Sequence, residues 1–307
     1  MHVTFRSPIV IVLTAAVAIA AFAVSQMKPV TSPIATPVSP EAESADMSPK
    51  VLAKLLETGE NAEWRDDWNS AEEQYKQAVT LFPRHATAWA HYGEFQRFYR
   101  HNDDEATRAF QRTLEASIPD PTSAAYAWRG LGEIAAKQGD TDKALELMNK
   151  SLKAGKLSDT HRSLSHLYGR LGMNDEAAKH AKLAAEIDPD DPIALLLYAA
   201  HLERSGHHEE AQRTFKKAIT LGGCDAEGQH NKPVHCCVFY NSAGYYAVRG
   251  DTPGALKMLE AFFETPNHRH LPREHILDDP DFVELKKDPE FLKLLDRYLP
   301  SVPAATK

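Results

Sequence analysis

Cysteine is scarce in this chain: three residues in 307 cannot build a disulfide framework. Positive charge is also in deficit, with 35 Lys and Arg against 43 Asp and Glu and a net charge of -8. No global field therefore recruits nucleic acid or an anionic bilayer, and any basic recognition surface has to be a local patch. Aromatic residues make up 8% and charged residues 25%, an ordinary soluble balance that excludes a polytopic membrane protein and a wholly disordered chain. The signatures of common catalysis are missing as well. There is no G-x4-G-K-[ST] phosphate loop, no G-x-G-x-x-G following a strand, no G-x-S-x-G elbow and no H-E-x-x-H. Gly130-Leu131-Gly132 falls inside a helical pattern and is a packing feature. No cofactor motif is present, and Cys-x-x-Cys-His, the signal for covalent haem, does not occur. An enzyme is not expected.

Long hydrophobic runs are absent with one exception. Residues 9–24 are uncharged and nearly all Ile, Val, Leu, Ala or Phe, with Arg6 before them and Lys28 after. Sixteen helical residues reach about 24 Å, short of a ~30 Å hydrocarbon core. Ala21-Phe22-Ala23 supplies a small-x-small cleavage pattern. Residues 1–24 therefore read as a signal peptide or an uncleaved N-terminal anchor, and both readings export the remainder of the chain. The expected location is extracytoplasmic or periplasmic, with membrane contact only through this segment if it is retained. Residues 25–49 hold prolines 29, 33, 37, 40 and 49 without apolar periodicity, which predicts a disordered, partly polyproline-II linker.

What the rest of the chain has is repetition. Gly59, Gly93, Gly132, Ser165, Ala199 and Ala243 each precede an alanine by twelve or thirteen residues: Ala71, Ala106, Ala144, Ala177, Ala211 and Ala255. Four residues beyond each alanine comes a larger side chain (Tyr75, Phe110, Met148, Phe215, Leu259), Ala181 being the exception. This spacing predicts helix pairs in which small residues let two backbones approach while the larger one fills the groove between them. Gly139-Asp140, Gly172, Gly206 and Gly250-Asp251 are the expected turns, glycine suiting a left-handed C-cap and aspartate capping the next helix. One pair cannot bury both faces, so pairs must stack.

These residues resemble the tetratricopeptide repeat family, whose motif runs W-x2-L-G-x2-Y, then A-x3-F, then P. The third unit carries Trp128-x2-Leu131-Gly132-x2-Ala135 and Ala144-x3-Met148, and the fourth carries Ala177-x3-Ala181-x2-Ala184 and Pro189. The resemblance implies an all-α solenoid, a right-handed superhelix of about six helix-turn-helix units over residues 50–265. Two units depart in length, through an extra residue near His101-Asn102 with a longer Ile118 to Thr122 connection, and through an insertion around residues 222–232. Asp279-Pro280-Asp281-Phe282 and Asp288-Pro289-Glu290-Phe291 each place an aspartate N-cap before proline at the first helical position. Residues 266–300 are therefore expected to form a C-terminal cap over the last apolar face, followed by a disordered tail at 301–307.

Reactive side chains concentrate in the insertion: Cys224, His230, His235, Cys236 and Cys237. The spacing matches no zinc finger or ribbon. In an oxidising compartment a disulfide from Cys224 to Cys236 or Cys237 is the expectation, with free thiols or a metal held by Cys224, His230, His235 and Cys236 as the other readings. A metal- or thiol-handling assembly factor is the corresponding alternative function. His268, His270 and His275 form a second small cluster, read as part of a Pro-rich connection.

The resemblance also implies that first helices line a concave groove used for a protein or peptide partner, so that the chain is expected to act as an interaction scaffold. Helical phase selects Arg97, Tyr126, Arg129, Lys137, Arg162, His166 and Arg170 as groove residues, with Glu94, Phe98, Glu133, Asp159, Glu203 and Arg204 in the same face and Tyr240 supplying contact area. The expectation is a locally basic tract whose Arg forks receive an acidic or extended peptide.

Overall fold

A computed structural model describes residues 49–65, 67–222, 236–265 and 271–300, with Cys236 described by its backbone alone. The expected leader, the linker up to residue 48, the insertion from residue 223 and the tail lie outside the described residues, while Pro49, expected in the linker, begins the first helix. What is described is all α-helix and turn, organised as six consecutive helix pairs and a C-terminal segment. The pairs are α1 (Pro49–Glu63) with α2 (Trp68–Leu81), α3 (Ala86–Phe98) with α4 (Asp103–Glu115), and α5 (Pro121–Lys137) with α6 (Thr141–Ala154). They continue as α7 (Ser158–Arg170) with α8 (Asn174–Ile187), α9 (Pro192–Arg204) with α10 (His208–Leu221), and α11 (Cys236–Val248) with α12 (Thr252–Glu264).

The repeated spacing is the crossing point of each pair. Ala71, Ala106, Ala144, Ala177, Ala211 and Ala255 are all fully buried. At the second crossing, a Cβ on Gly93 would stand 2.7 Å from the Phe110 ring, and at the third a Cβ on Gly132 would stand 2.9 Å from Met148. Any side chain larger than hydrogen would push these helices apart. At the exception in the pattern both Ala181 and Ser165 are buried, and the Ser165 hydroxyl pairs across repeats, 3.1 Å from His201 Nε2.

The predicted turns form as expected. Gly139, Gly172, Gly206 and Gly250 all have φ between 72° and 82°, the left-handed region where glycine pays no Cβ penalty. Asp140 and Asp251 then cap α6 and α12 by accepting from Lys143 N and Gly254 N. The longer second connection is held in place: Ala86 N donates to Ile118 O at 3.0 Å and Ile118 N to Arg84 O at 2.8 Å.

After α12 the chain forms α13 (Arg273–Leu277), 3-10 turns at Pro280–Phe282 and Leu285–Lys287, and α14 (Pro289–Tyr298). Asp279 and Asp288 cap as their sequence predicts, although the first starts a single 3-10 turn rather than a helix. Ile276, Phe282, Phe291 and Leu295 are fully buried in one core with Leu259, Phe262 and Phe263. The segment therefore closes the array as a cap. Among the described residues no helix is long and apolar enough to cross a membrane.

Candidate functional site

First helices one repeat apart place equivalent side chains side by side, so the charged face of the array is best followed as rows. Counting from the small crossing residue, Arg129 and Arg162 occupy one register, Glu94 and Glu133 a second, and Lys137, Arg170 and Arg204 a third.

The first two rows interlock. Arg129 donates to Glu94 at 2.7 Å and to Glu133 at 3.1 Å, while Arg97 bonds Glu133 at 2.6 Å and Glu94 at 3.0 Å. Ser163 of α7 donates to Glu133, and Arg162 pairs with Asp159 of its own helix and, at 3.3 Å, with Asp191 capping α9. The Arg129 guanidinium lies 5.2 Å from the Tyr126 ring, and that of Arg97 lies 3.9 Å over Phe98. Arg129 is only 5% exposed. Burial would disfavour its charge, but Glu94, Glu133 and Asp159 outweigh it and hold the guanidinium charged. Burial would likewise raise Glu133, yet the neighbouring Arg97 and Arg129 hold its carboxyl down at about 2.

The expected open basic tract is therefore corrected. Arg97, Arg129 and Arg162 are groove residues by register, but their forks already bind carboxylates of the same and adjacent helices: Glu94, Glu133, Asp159 and Asp191. What the network leaves over are buried atoms without a hydrogen-bond partner: Glu94 Oε1, Arg97 Nε and Arg129 Nε. Lys137 bonds Asp103 at 2.6 Å but is mostly exposed, so that pair holds little. Phe98 is 51% exposed at the edge of this face.

Tyr240 is the second correction. It is buried, donates to Asp279 at 2.7 Å and packs edge-on against Phe262 and Phe282. It anchors the C-terminal segment and offers no open contact area. Burial, followed by the Asp281 charge, raises Asp279 to about 6. Asp281 pairs with Arg204 of α9 and lies so close to α11 that a Cβ on Gly244 would stand 2.5 Å from Asp281 Oδ2. Pro280 reaches within 3.9 Å of the Cβ position of Gly169 on α7. Residues 279–282 thus cross from α11 over α9 to α7, laying part of the cap on the face of the first helices, which the sequence pattern alone does not predict.

Between these elements sits a neutral histidine. Burial, then the Arg204 charge, lowers His201 to about 4. Arg204 Nη1 is 3.5 Å from its Nδ1, and since a guanidinium only donates, Nδ1 accepts and Nε2–H is left to donate to Ser165. His166 and Arg170 of α7 are exposed and make no ion pair or hydrogen bond among the described residues.

Cys224, His230 and His235 lie outside the described residues, as do His268 and His270. Cys237 is half-buried against the C-terminal core. Among the described residues no group of three or more His, Cys, Asp or Glu is placed to hold a metal.

A tetratricopeptide repeat profile matches residues 92–158 and a second matches residues 163–191. The rat mitochondrial import receptor subunit TOM70 is 23% identical over 104 residues, 34% of this chain and 16% of the receptor. A TPR repeat-containing protein of Dictyostelium discoideum is 26% identical over 117 residues, 38% of this chain and 35% of its own length. The chain thus spans a minor part of both relatives. Similar solved structures include PilW, described as a type IV pilus biogenesis factor, at 16% identity and TM-score 0.49, covering 72% of this chain and 98% of PilW. YrrB, described as a TPR protein with an unusual peptide-binding site, is 21% identical with TM-score 0.39, covering 71% of this chain and all of YrrB. Residues 92–158 and 163–191 thus match tetratricopeptide repeat profiles, and they stand within an all-α solenoid of paired helices.

Proposed function

We propose that this chain is an exported interaction scaffold that holds an extended segment of a partner protein along the face of its first helices, around α3, α5 and α7. The observation that carries the reading is the interlocked row of Glu94, Arg97, Arg129, Glu133 and Ser163. It fixes polar groups across three repeats in one geometry. A rigid polar track beside an exposed aromatic suits a peptide backbone, and it offers no convergent nucleophile and base for catalysis. Export rests on the hydrophobic segment at residues 9–24 and its flanking charges.

Phe98 is the test residue, because it is exposed and none of the network's ion pairs runs through it, its contact there being the Arg97 guanidinium over its ring. The Phe98→Asp variant, folded by circular dichroism, is expected to capture at least tenfold less native partner in pull-downs. Undiminished capture would remove this face from the function.

A further inference from the structure

Two histidines meet between α7 and α8. His161 Nδ1 stands 2.9 Å from His180 Nδ1, with the ring centroids 5.1 Å apart, so the nitrogens approach each other nearly head-on. Tyr168 stacks on the His180 ring, centroids 5.4 Å apart and planes 17° apart, and limits its rotation. Both histidines are half-buried. Among the described residues no carboxylate is bonded to either ring, and Lys179 and Glu176 act on His180 from a distance with opposite signs. Burial lowers both imidazoles, and at His180 the neighbouring His161 and Lys179 add to it. Both rings are therefore neutral near pH 7, the form in which imidazole binds a metal.

Two neutral imidazoles in such a contact share one proton, one Nδ1–H donating and the other Nδ1 accepting. When both rings instead carry their proton on Nε2, two Nδ1 lone pairs face one gap, and a cation can take the place of the bridging proton. The separation bears on which cation. Two metal–nitrogen bonds of about 2.0 Å span about 2.8 Å at the right angle of tetragonal Cu(II), and about 3.3 Å at the tetrahedral angle of Zn(II). The observed 2.9 Å lies at the copper end of that range. Each ring has to swing from its head-on setting for the lone pairs to converge, which half-buried side chains on two helices allow. Their partial exposure leaves the remaining coordination positions to water.

We infer that His161 and His180 form a two-imidazole site for a divalent transition-metal ion, Cu(II) foremost, that ties α7 to α8. The site uses no member of the Glu94–Arg129–Glu133 network, so partner capture in the Phe98→Asp experiment does not bear on it.

The test is a titration of the full chain, purified without a histidine tag and stripped with a chelator, using Cu(II) alone. The expected result is an equivalent of copper whose electron paramagnetic resonance spectrum shows coupling to two imidazole nitrogens. His161→Gln and His180→Gln, folded by circular dichroism, keep an amide for the interhelical hydrogen bond, and each should weaken that equivalent at least tenfold. His207→Ala, which removes an exposed histidine from another repeat, should leave it unchanged. Zn(II) should compete more weakly than Cu(II), and Mg(II), which takes oxygen ligands, should not compete. Absence of bound copper, coupling to a single nitrogen, full retention in either Gln variant, or equal loss in His207→Ala would overturn the inference and leave the contact as a hydrogen bond alone.

Discussion

Arg129 shows how far a single residue can be read. Helical phase alone places it opposite Trp128, Leu131 and Gly132, and in the structure it meets Glu94 of the preceding first helix. Its burial and its partners were not legible, because Glu94 lies 35 residues away and its approach depends on how two repeats stack. With Arg129 removed, Glu94 and Glu133 would share Arg97 alone, leaving one carboxylate charge uncompensated in a half-buried site. Breaking one partner of a buried ion network costs about 3–5 kcal/mol, and Arg129→Met is expected to lose stability in that range by urea denaturation. Adding Glu94→Gln to that variant should recover a large part of the loss, since Glu133 then keeps Arg97 and no charge is left uncompensated. Recovery of nothing would mean that packing, not charge, is what Arg129 contributes.

At the scale of elements, the helix pairs were legible and the C-terminal segment was legible in part. The pairs follow from a local period, the small residue and the alanine twelve positions on, which the fold converts directly into crossings. The cap's aspartates and apolar stripe were equally local signals. Its lie across α11, α9 and α7 was not, because it is fixed by single long-range contacts: Asp279 with Tyr240, Asp281 with Arg204, and Pro280 by Gly169. Phe282 is the apolar anchor of that arrangement, fully buried between Tyr240 and Phe291. Truncating a buried phenylalanine costs about 3–5 kcal/mol. Phe282→Ala is therefore expected to raise hydrogen exchange throughout α11 and α12 while leaving α3 to α6 protected. Uniform loss of protection across all repeats would show that the segment supports the entire array.

At the scale of the whole molecule, stacked pairs support one another through a series of core clusters along the array, so half-buried and buried titratable groups in any repeat bear on overall stability. His180 and His201 are both lowered to about 4, first by burial and then by neighbouring positive charge. A histidine whose folded pKa lies below its unfolded value of 6.5 is neutral in the fold, so the unfolded chain gains the proton first as pH falls. Stability present near neutrality is thus lost progressively between about pH 6.5 and 4. Urea midpoints at pH 7 and pH 4.5 are expected to differ, and the difference should shrink in His201→Gln, whose amide keeps a donor for Ser165 without titrating. An unchanged difference would place the acid sensitivity elsewhere. Average composition concealed this organisation, since repeat order leaves residue counts untouched. The net charge of -8 likewise concealed a face where positive and negative side chains alternate and most are already paired.

The central claim is that partners are held on the face of the first helices, and cross-linking resolved by position tests it most directly. A photoreactive amino acid would be introduced singly at Phe98, Lys137, His166 and Arg170 on the first helices, and at Leu81, Lys150 and Arg213 on the second, in the native cell. Capture of one partner by several first-helix positions, with its cross-linked residues running in order along an extended segment and none from the second helices, is the predicted result. Capture confined to second-helix positions, or equal from both faces, would contradict the account.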